Sequence, residues 1–441
     1  MTFAAATGEW SSAELDALLD RVAPRFARAE PRRRARTFVR GLLSGLDRKN
    51  GWTLATYAGE SDPSGMQRLL NAARWDVDGV RDDLRAYALE HLRDDVAGVL
   101  VPHETTFPKK GNRSVGVQRQ YADSTGRAMN VQVGVFLTYA SPRGLALVDR
   151  ELYLPESWIL DRERCRRAEV PDDVGFATTS QMARRMIERA IAAGIPIPWV
   201  AAGEAYGEDR TWRSWLESRD QAYVLATGRC GRIPTAGGQF RDIQEIAATL
   251  PDSAWERCQS GNGSVRPRVY DWAQVQLADG RAGDGRTWRR SLLVRRTAGG
   301  PGELACFRCW APAGTPLAEL ARVAGVRRAV EEGFELTKSS FGLDQYQVRR
   351  YDAWYRHVTL CMLAAAHVAV VRANLRSPYL STQYTPAPRT AVRAPAAAMS
   401  HTPSSLDALD CVGSGVGIAL PRRAARSVEG LRMSRGEVDR S

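Results

Sequence analysis

Cysteine and histidine are scarce in this sequence, with 7 Cys and 5 His among 441 residues. The cysteines are scattered without a framework, which excludes a disulfide-rich extracellular scaffold and favours the reducing cytoplasm. Cys306 and Cys309 form the one close pair, and a zinc ribbon would need a second pair. Segment 303–312 has the pattern of a strand, so the odd spacing predicts that the two thiols point to opposite faces.

Long apolar runs are lacking as well. The start, MTFAAATGEW, has neither basic residues nor an extended apolar stretch, so we expect no signal peptide. The longest apolar stretch, residues 358–371, is shorter than the roughly 20 residues that span a bilayer, and it contains His367. We therefore expect no membrane partner and predict that 358–371 forms a buried core helix.

Acidic residues are outnumbered by basic ones. The 50 Asp and Glu against 62 Lys and Arg give a net charge of +12 and a pI near 9.6. Hydrophobic content of 44% is ordinary for a soluble globular protein, and the length allows one large core or two to three smaller ones. The excess positive charge attracts polyanions, of which nucleic acid is the commonest. An arginine-rich coding bias is the alternative explanation.

The densest basic cluster lies between residues 21 and 40, where eight Arg stand against one Glu. A cluster this dense on short helices can neutralise several phosphates and make binding steeply dependent on salt. The residues predicted to contact DNA are Arg32, Arg33, Arg34 and Arg36. The alternative is that these side chains face solvent or pair with the acidic residues of 76–95.

Residues 10–93 have the apolar periodicity of an all-helical region. Ser11 and Glu14 form a capping box that predicts the start of the first helix. A second helix is predicted after Pro31, and a third is predicted around 80–88.

The period changes to two from Val99 onward, which is typical of strands. Strands are predicted at 99–101, 115–121, 129–139 and 145–154, with turns at 123–126 and 141–144. Alternating helices and strands follow at 178–193, 198–202, 211–218 and 222–227. Further strands are predicted at 288–296 and 303–310.

A late segment contains three charged residues at helical spacing. Arg327, Glu331 and Lys338 stand in the pattern Arg-x3-Glu-x6-Lys, which places all three side chains on one face of a helix. A carboxylate between two cations suits divalent metal and phosphate, because metal neutralises the carboxylate while the cations hold phosphoryl oxygens. A solvated salt-bridge face is the alternative.

From Trp10 to about Leu375 the chain resembles the bacterial insertion-sequence transposases of the DDE class. The segments that carry the resemblance are 30–52, 65–87, 109–121, 133–158, 171–190 and the helix around Glu331. The helix motif of that family is Tyr-x2-Arg-x3-Glu-x6-Lys. Arg327, Glu331 and Lys338 match it, whereas Ala324 takes the Tyr position.

Two departures from the family pattern affect catalytic positions. The family carries its first catalytic Asp in a segment like VDETGFxKKG, and this chain has VPHETTFPKKG, with His103 at that position. The second Asp belongs to a segment like GDExYG, and this chain has AGEAYG, with Gly203 there. The resemblance therefore implies that two of three metal-binding carboxylates are absent and that Glu331 is a remnant ligand.

The resemblance implies an α/β fold with a ribonuclease-H-like mixed sheet flanked by helices, an all-helical N-terminal domain and a β-rich insertion. The predicted domains are a helical, basic, DNA-binding domain at 1–97, a catalytic-type core at 98–227 plus 313–375, the insertion at 228–312, and a disordered tail at 376–441. The active site of this fold gathers residues from the first strand, the end of the fourth strand and a late helix, which map to 103, 203 and 331.

The implied cofactor of an active family member is a pair of Mg²⁺ ions held by three carboxylates. Gly203 offers no ligand, and the His103 nitrogen suits Zn²⁺ or Mn²⁺ better than Mg²⁺. We therefore expect no metal cofactor. A Mn²⁺ or Zn²⁺ site built from His103, Glu204 and Glu331 is the alternative. Glu104 should not contribute, because it faces the other side of its strand.

Three cations near the predicted site are expected to meet DNA phosphates. Lys109 and Lys110 follow the first strand, where a solvated turn is the alternative explanation. Arg119 has the same predicted role, or it pairs with Asp149 or Glu151.

The leading hypothesis is a transposase-family protein, cytoplasmic and nucleoid-associated in a bacterium, that binds double-stranded DNA and has lost Mg²⁺-dependent cleavage and strand transfer. Such a protein could form a homodimer. One alternative is a recruited enzyme that acts on another substrate with His103 as general base. The other is an active transposase with an altered metal site.

Overall fold

The computed structural model describes residues 3–122, 127–229, 231–235, 239–260, 268–281, 287–298 and 304–375. The predicted turn at 123–126 and the predicted tail at 376–441 lie outside the described residues.

The N-terminal part is helical, as predicted. Its helices are α1 (Phe3–Val22), α2 (Ala29–Leu43), α3 (Gly51–Tyr57), α4 (Ser64–Asn71) and α5 (Val77–Leu92). The predicted capping box is wrong, because α1 begins at Phe3 and continues through Ser11. The Ser11 hydroxyl lies 3.5 Å from Nε2 of His367 instead, on a helix of the core. The apolar stripes of α2 and α5 are buried, as their spacing predicts.

The central part forms a mixed sheet with helices packed on it. Its elements are β1 (Val99–Lys109), β2 (Gln118–Ala122), β3 (Arg127–Ser141), β4 (Gly144–Leu152), α6 (Glu156–Ile159), α7 (Arg162–Arg167), α8 (Thr179–Ala192), β5 (Trp199–Ala202), α9 (Glu204–Glu208), α10 (Arg210–Glu217) and β6 (Tyr223–Thr227). The order is β4-β3-β1-β5-β6, with β3 antiparallel to β1 and β4, and with β5 and β6 parallel to β1. This arrangement confirms the predicted ribonuclease-H-like fold class.

The next part extends the same sheet. Its elements are β7 (Arg232–Pro234), β8 (Phe240–Asp242), α11 (Ile243–Ala248), β9 (Glu256–Ser260), β10 (Arg268–Arg281), β11 (Thr287–Thr297) and β12 (Ala305–Pro312). Strand β12 pairs antiparallel with β6, and the order continues through β11 and β10 to β9. The two strands predicted in this part are present as β11 and β12. The limits of the β-rich insertion stay a prediction.

The thiols of β12 lie on opposite faces, as predicted. Cys306 packs in a small cluster with Ile243 and Leu292, whereas Cys309 belongs to the main core. Burial raises the pKa of Cys306 to about 11 and that of Cys309 to about 12. Both groups are therefore neutral thiols at pH 7.

Two long helices complete the described chain, namely α12 (Leu317–Phe341) and α13 (Tyr351–Leu375). Within the described ranges, α13 is the one helix whose length and composition would let it cross a membrane, and 67% of its most apolar window is buried inside the protein. Trp354, Leu360 and His367 are buried. This packing confirms the predicted core helix.

An ion cluster built on two buried carboxylates joins the helical part to the sheet. We call it the β4 ion cluster and define it as Arg81, Asp149, Glu151, Arg185 and Arg189. Asp149 accepts hydrogen bonds from Arg81 at 2.9 Å and from Arg189 at 2.8 Å, and its side chain is 1% exposed. Glu151 accepts from Arg185 at 2.6 Å and from Arg189 at 2.8 Å. The cluster thus connects α5 and α8 through β4.

Candidate functional site

The pairing of β1 with β5 sets the position of the candidate site. Val99 faces Trp199 and Leu100 faces Val200. Partners in this pairing are thus 100 residues apart in the sequence. Continued along the strand, the same register places His103 of β1 level with Gly203, which directly follows β5. The structure therefore brings the first two predicted positions together at the carboxyl end of the short strand.

Helix α12 supplies the third wall of the site. The ring of Phe334 packs against the His103 ring, with centroids 4.8 Å apart. Arg327 donates from Nε to Glu331 Oε1 at 2.9 Å, one helical turn away. The pKa of His103 is lowered to about 4. Burial is the largest cause, and the positive charges of Arg327 and Lys338 lower it further. Arg327, Glu331 and Lys338 therefore share the face predicted from their spacing, and His103 is neutral at pH 7.

Gly203 leaves open space beneath the Arg327 guanidinium. A Cβ built at this position would lie 3.6 Å from Nη1 of Arg327, with no second contact within 4 Å among the described residues. The backbone at Gly203 has φ −72° and ψ 178°, which any residue can adopt. Glycine is thus not required here by conformation.

Glu204 does not join this group. Its side chain is exposed and points toward Gly228 beyond β6, where its Oε1 would lie 2.6 Å from an added Cβ. Among the described residues, no three His, Cys, Asp or Glu side chains are grouped to hold a metal ion. The alternative site of His103, Glu204 and Glu331 is therefore not formed.

Glu104 lies on the opposite face of β1, as the strand alternation predicts. It lies near Tyr206 and Tyr153. Burial is the largest cause that raises the pKa of both phenols, and the negative charge of Glu104 is the second. Glu104 is therefore no substitute for the carboxylate missing at 103.

The donor set does not fit a pair of Mg²⁺ ions. Mg²⁺ requires oxygen ligands in octahedral geometry. Of the three positions, only Glu331 offers a side-chain oxygen, and Arg327 already binds that carboxylate. His103 offers a ring nitrogen, and its ring packs against Phe334 at a tilt of 39°.

Three of the four arginines predicted to contact DNA are held by the protein itself. Arg32 donates to the Phe26 carbonyl oxygen at 3.1 Å. Arg34 donates to Glu30 at 2.7 Å and to Glu60, and Arg36 pairs with Asp16 and Asp20. The remaining arginine, Arg33, is exposed and forms no ion pair with a residue that the structure describes.

Two neighbouring arginines follow the alternative prediction. Arg21 donates to Glu90 at 2.7 Å, and Arg25 donates to Asp83 at 2.7 Å. These ion pairs join α1 and the turn after it to α5, so part of the basic cluster stabilises the helical part.

The cations near β1 differ in exposure. Lys109 lies with Nζ 3.3 Å from the ring centre of Tyr346, and burial lowers its pKa to about 7. It is therefore poorly placed to meet a phosphate. Lys110 and Arg119 are exposed, and Arg119 does not pair with Asp149 or Glu151, which belong to the β4 ion cluster.

Sequence reasoning missed two residues of the site. Phe334, which shields His103, lies three residues after Glu331 and four before Lys338, so the same helical spacing would have indicated it. The second is Glu335, which pairs with Lys338 at 2.9 Å.

The chain is similar to a known protein family and to known transposases. The sequence model of the DDE superfamily endonucleases matches residues 21–233, and over this range the chain is similar to that family. The chain is 24% identical over 325 residues to the probable transposase for insertion sequence element IS701 of Microchaete diplosiphon, covering 70% of this chain and 75% of the relative. A solved structure, the piggyBac transposase synaptic complex with hairpin DNA, is similar at 9% identity with a TM-score of 0.39, covering 83% of this chain and 78% of that one.

Proposed function

We propose that this DDE superfamily protein binds double-stranded DNA through exposed basic residues and has lost Mg²⁺-dependent strand cleavage. The observation that carries the proposal is at Gly203. Where the family pattern has a carboxylate, this chain has no side chain, and an arginine guanidinium lies above the open space. One carboxylate cannot hold two hard divalent ions.

A recruited enzyme with His103 as general base is less well supported. A base that works at neutral pH needs a conjugate acid of comparable pKa, whereas His103 has a pKa of about 4. Burial and the positive charges of Arg327 and Lys338 all disfavour the imidazolium. An altered metal site is also less well supported, because Glu204 points toward Gly228.

Binding to a duplex of about 20 base pairs is expected to fall steeply with salt, while a supercoiled plasmid incubated with Mg²⁺ stays intact. Fluorescence anisotropy at several salt concentrations measures the first property, and gel electrophoresis measures the second. Affinity that is independent of salt would contradict the DNA-binding half of the proposal. Efficient nicking by the unmodified chain would contradict the other half.

Two arginines of α2 allow an exposed cation to be compared with one that is held by carboxylates of the protein. Arg33→Gln is expected to reduce the slope of log K against log salt by about 1, because one exposed phosphate contact is lost. Arg34→Gln is the matched control. Its side chain is held by Glu30 and Glu60, so it should lower the thermal midpoint and leave the slope unchanged. Equal slopes for wild type and Arg33→Gln would exclude Arg33 from the DNA contact.

A further inference from the structure

A groove lies at the end of β5 and β6 opposite to the candidate site. Trp199, the first residue of β5, and Ala222, which directly precedes β6, line one side of it. The start of β11, the end of β12 and the first turn of α12 line the other side. We call it the β5–β6 groove. It encloses about 500 Å³, a size within the usual range of ligand-binding clefts.

The floor of the β5–β6 groove is apolar. The indole rings of Trp199 and Trp288 lie there, and each of these residues is 6% exposed. Pro312 and Pro316 line the wall, and at the rim Val96 is 78% exposed. Grooves lined by aromatic rings bind proline-rich segments in the polyproline II conformation, because that conformation is largely formed before binding and costs little entropy.

The charge of the groove is opposite to that of the whole chain. Asp220 and Glu319 line it, whereas none of the described residues that line it is Lys or Arg. The chain carries a net charge of +12. Glu319 also accepts a hydrogen bond from Arg322 on the same helix, and a carboxylate has lone pairs for further donors. The groove therefore favours an apolar, basic ligand and disfavours nucleic acid, whose phosphates the two carboxylates would repel.

One segment of the chain has the composition that this groove favours. Residues 376–406 contain five Pro and three Arg, with no Asp or Glu. The part richest in these residues is 384–395, YTPAPRTAVRAP, with three of the prolines and two of the arginines. This segment lies outside the described residues, so its place is inferred from the end of α13 and from its chemistry.

The end of α13 lies close enough for this segment to reach the groove. The side-chain amide of Asn374 is 3.3 Å from Nδ1 of His91. Val96, at the groove rim, follows His91 by five residues, which span at most about 18 Å. The nine steps from Leu375 to Tyr384 can span about 30 Å. The segment that starts at Tyr384 is therefore within reach of the rim.

We propose that the β5–β6 groove binds segment 384–395 of the same chain. The prolines of the segment lie on the apolar floor, and Arg389 and Arg393 lie near the two carboxylates of the groove. The inference does not depend on the proposed function, because the groove and the candidate site are at opposite ends of β5.

Photo-cross-linking of the full chain tests this contact. Replacing Val392 with p-benzoylphenylalanine is expected to give ultraviolet cross-links concentrated on peptides that contain Val96, Ile197 or Pro316, as identified by mass spectrometry. The same replacement at Val428, which follows the segment in the sequence, is the control and should not enrich these peptides. Cross-links from position 392 that favour the groove no more than those from position 428 would overturn the inference.

An added charge at the rim tests whether the groove itself is the binding site. Val96→Arg should lower the yield of groove cross-links from position 392 by about twofold or more, the scale of one exposed charge interaction. Leu160→Arg is the matched control, because Leu160 is 76% exposed and does not line the groove. Both substitutions lie at exposed positions, so folding should be preserved. Equal yields in the two variants would contradict the proposed site.

Isotope labelling distinguishes binding within one chain from binding between two chains. Chains labelled with ¹⁵N are mixed with unlabelled chains before irradiation. Binding within the chain predicts groove cross-links whose two peptides carry the same label. Cross-links that join labelled to unlabelled peptides as often as random pairing allows would show that a second copy supplies the segment, and would contradict the inference.

Discussion

Replacing Asp149 with Asn is expected to lower the free energy of unfolding by about 3–5 kcal/mol, the usual loss when one partner of a buried ion pair is removed. The side chain of Asp149 is 1% exposed and accepts hydrogen bonds from Arg81 and Arg189. An Asn would leave the side chain of Arg81, which is 8% exposed, without its charged partner on β4. Urea denaturation of the full chain measures the difference.

The same variant should change the dependence of stability on pH. Burial alone would raise the pKa of Asp149, but Arg189 and Arg81 outweigh burial and lower it below its ordinary value. A carboxyl group with a lowered pKa in the folded state stabilises fully above the unfolded value of about 4, and this contribution is lost as pH falls through the folded value. The gap between wild type and Asp149→Asn should therefore be constant from pH 7 to about 5 and should shrink below about 4.

Asp20→Asn is the control for this prediction. Asp20 pairs with Arg36, but its side chain is 70% exposed, so its replacement should cost less than about 1 kcal/mol. A similar loss in both variants, or a loss below about 1 kcal/mol for Asp149→Asn, would show that the β4 ion cluster does not hold the helical part on the sheet.

The double substitution His103→Asp with Gly203→Asp is expected to restore Mg²⁺-dependent nicking of a supercoiled plasmid. The offset between β1 and β5 places the two new carboxylates level with each other, and α12 already supplies Glu331. Loss of a residue that merely supports a metal ligand costs about 10–100-fold, so restoring two ligands should raise the nicking rate by more than about 100-fold. Gel analysis of relaxed and supercoiled plasmid measures the rate.

The matched control is His103→Asn with Gly203→Asn, which has side chains of the same size without the charges. This variant should bind DNA like the wild type and leave the plasmid intact. If the Asp variant is folded and binds DNA but nicks no faster than the Asn variant, the two missing carboxylates do not explain the loss of cleavage.

The relative placement of residues 103, 203 and 331 depends on local spacing and on the order of elements, both of which the sequence carries. The pattern Arg-x3-Glu-x6-Lys fixes one helix face by itself. The order of strands and helices then indicates that residues 103 and 203 lie at neighbouring strands. In the structure His103 accordingly packs against Phe334 of α12, and Gly203 lies near Arg327 of the same helix.

The extent of β1 could not be predicted, because Pro102 and Pro108 interrupt its pattern. The strand nevertheless continues to Lys109, paired with β3 along its whole length. The β5 pairing ends at Leu100, so beyond this residue one edge of β1 needs no ladder hydrogen bonds. The two prolines are an even number of residues apart, so their nitrogen atoms point to the same side, and a free strand edge tolerates proline.

The roles of the individual arginines could not be predicted either. Sequence shows that Arg33, Arg34 and Arg36 lie close together, but not which of them meet acidic partners after folding. Arg34 meets Glu60 and Arg36 meets Asp20 only because α2 packs beside neighbouring elements of the helical part. Density of charge in a sequence therefore overstates the number of cations that are free for DNA.

The most direct test of the lost metal site is anomalous diffraction from crystals of the unmodified protein with a DNA end and Mn²⁺. The account predicts no manganese peak between His103, Gly203 and Glu331. Two manganese peaks bridging that cleft would contradict it.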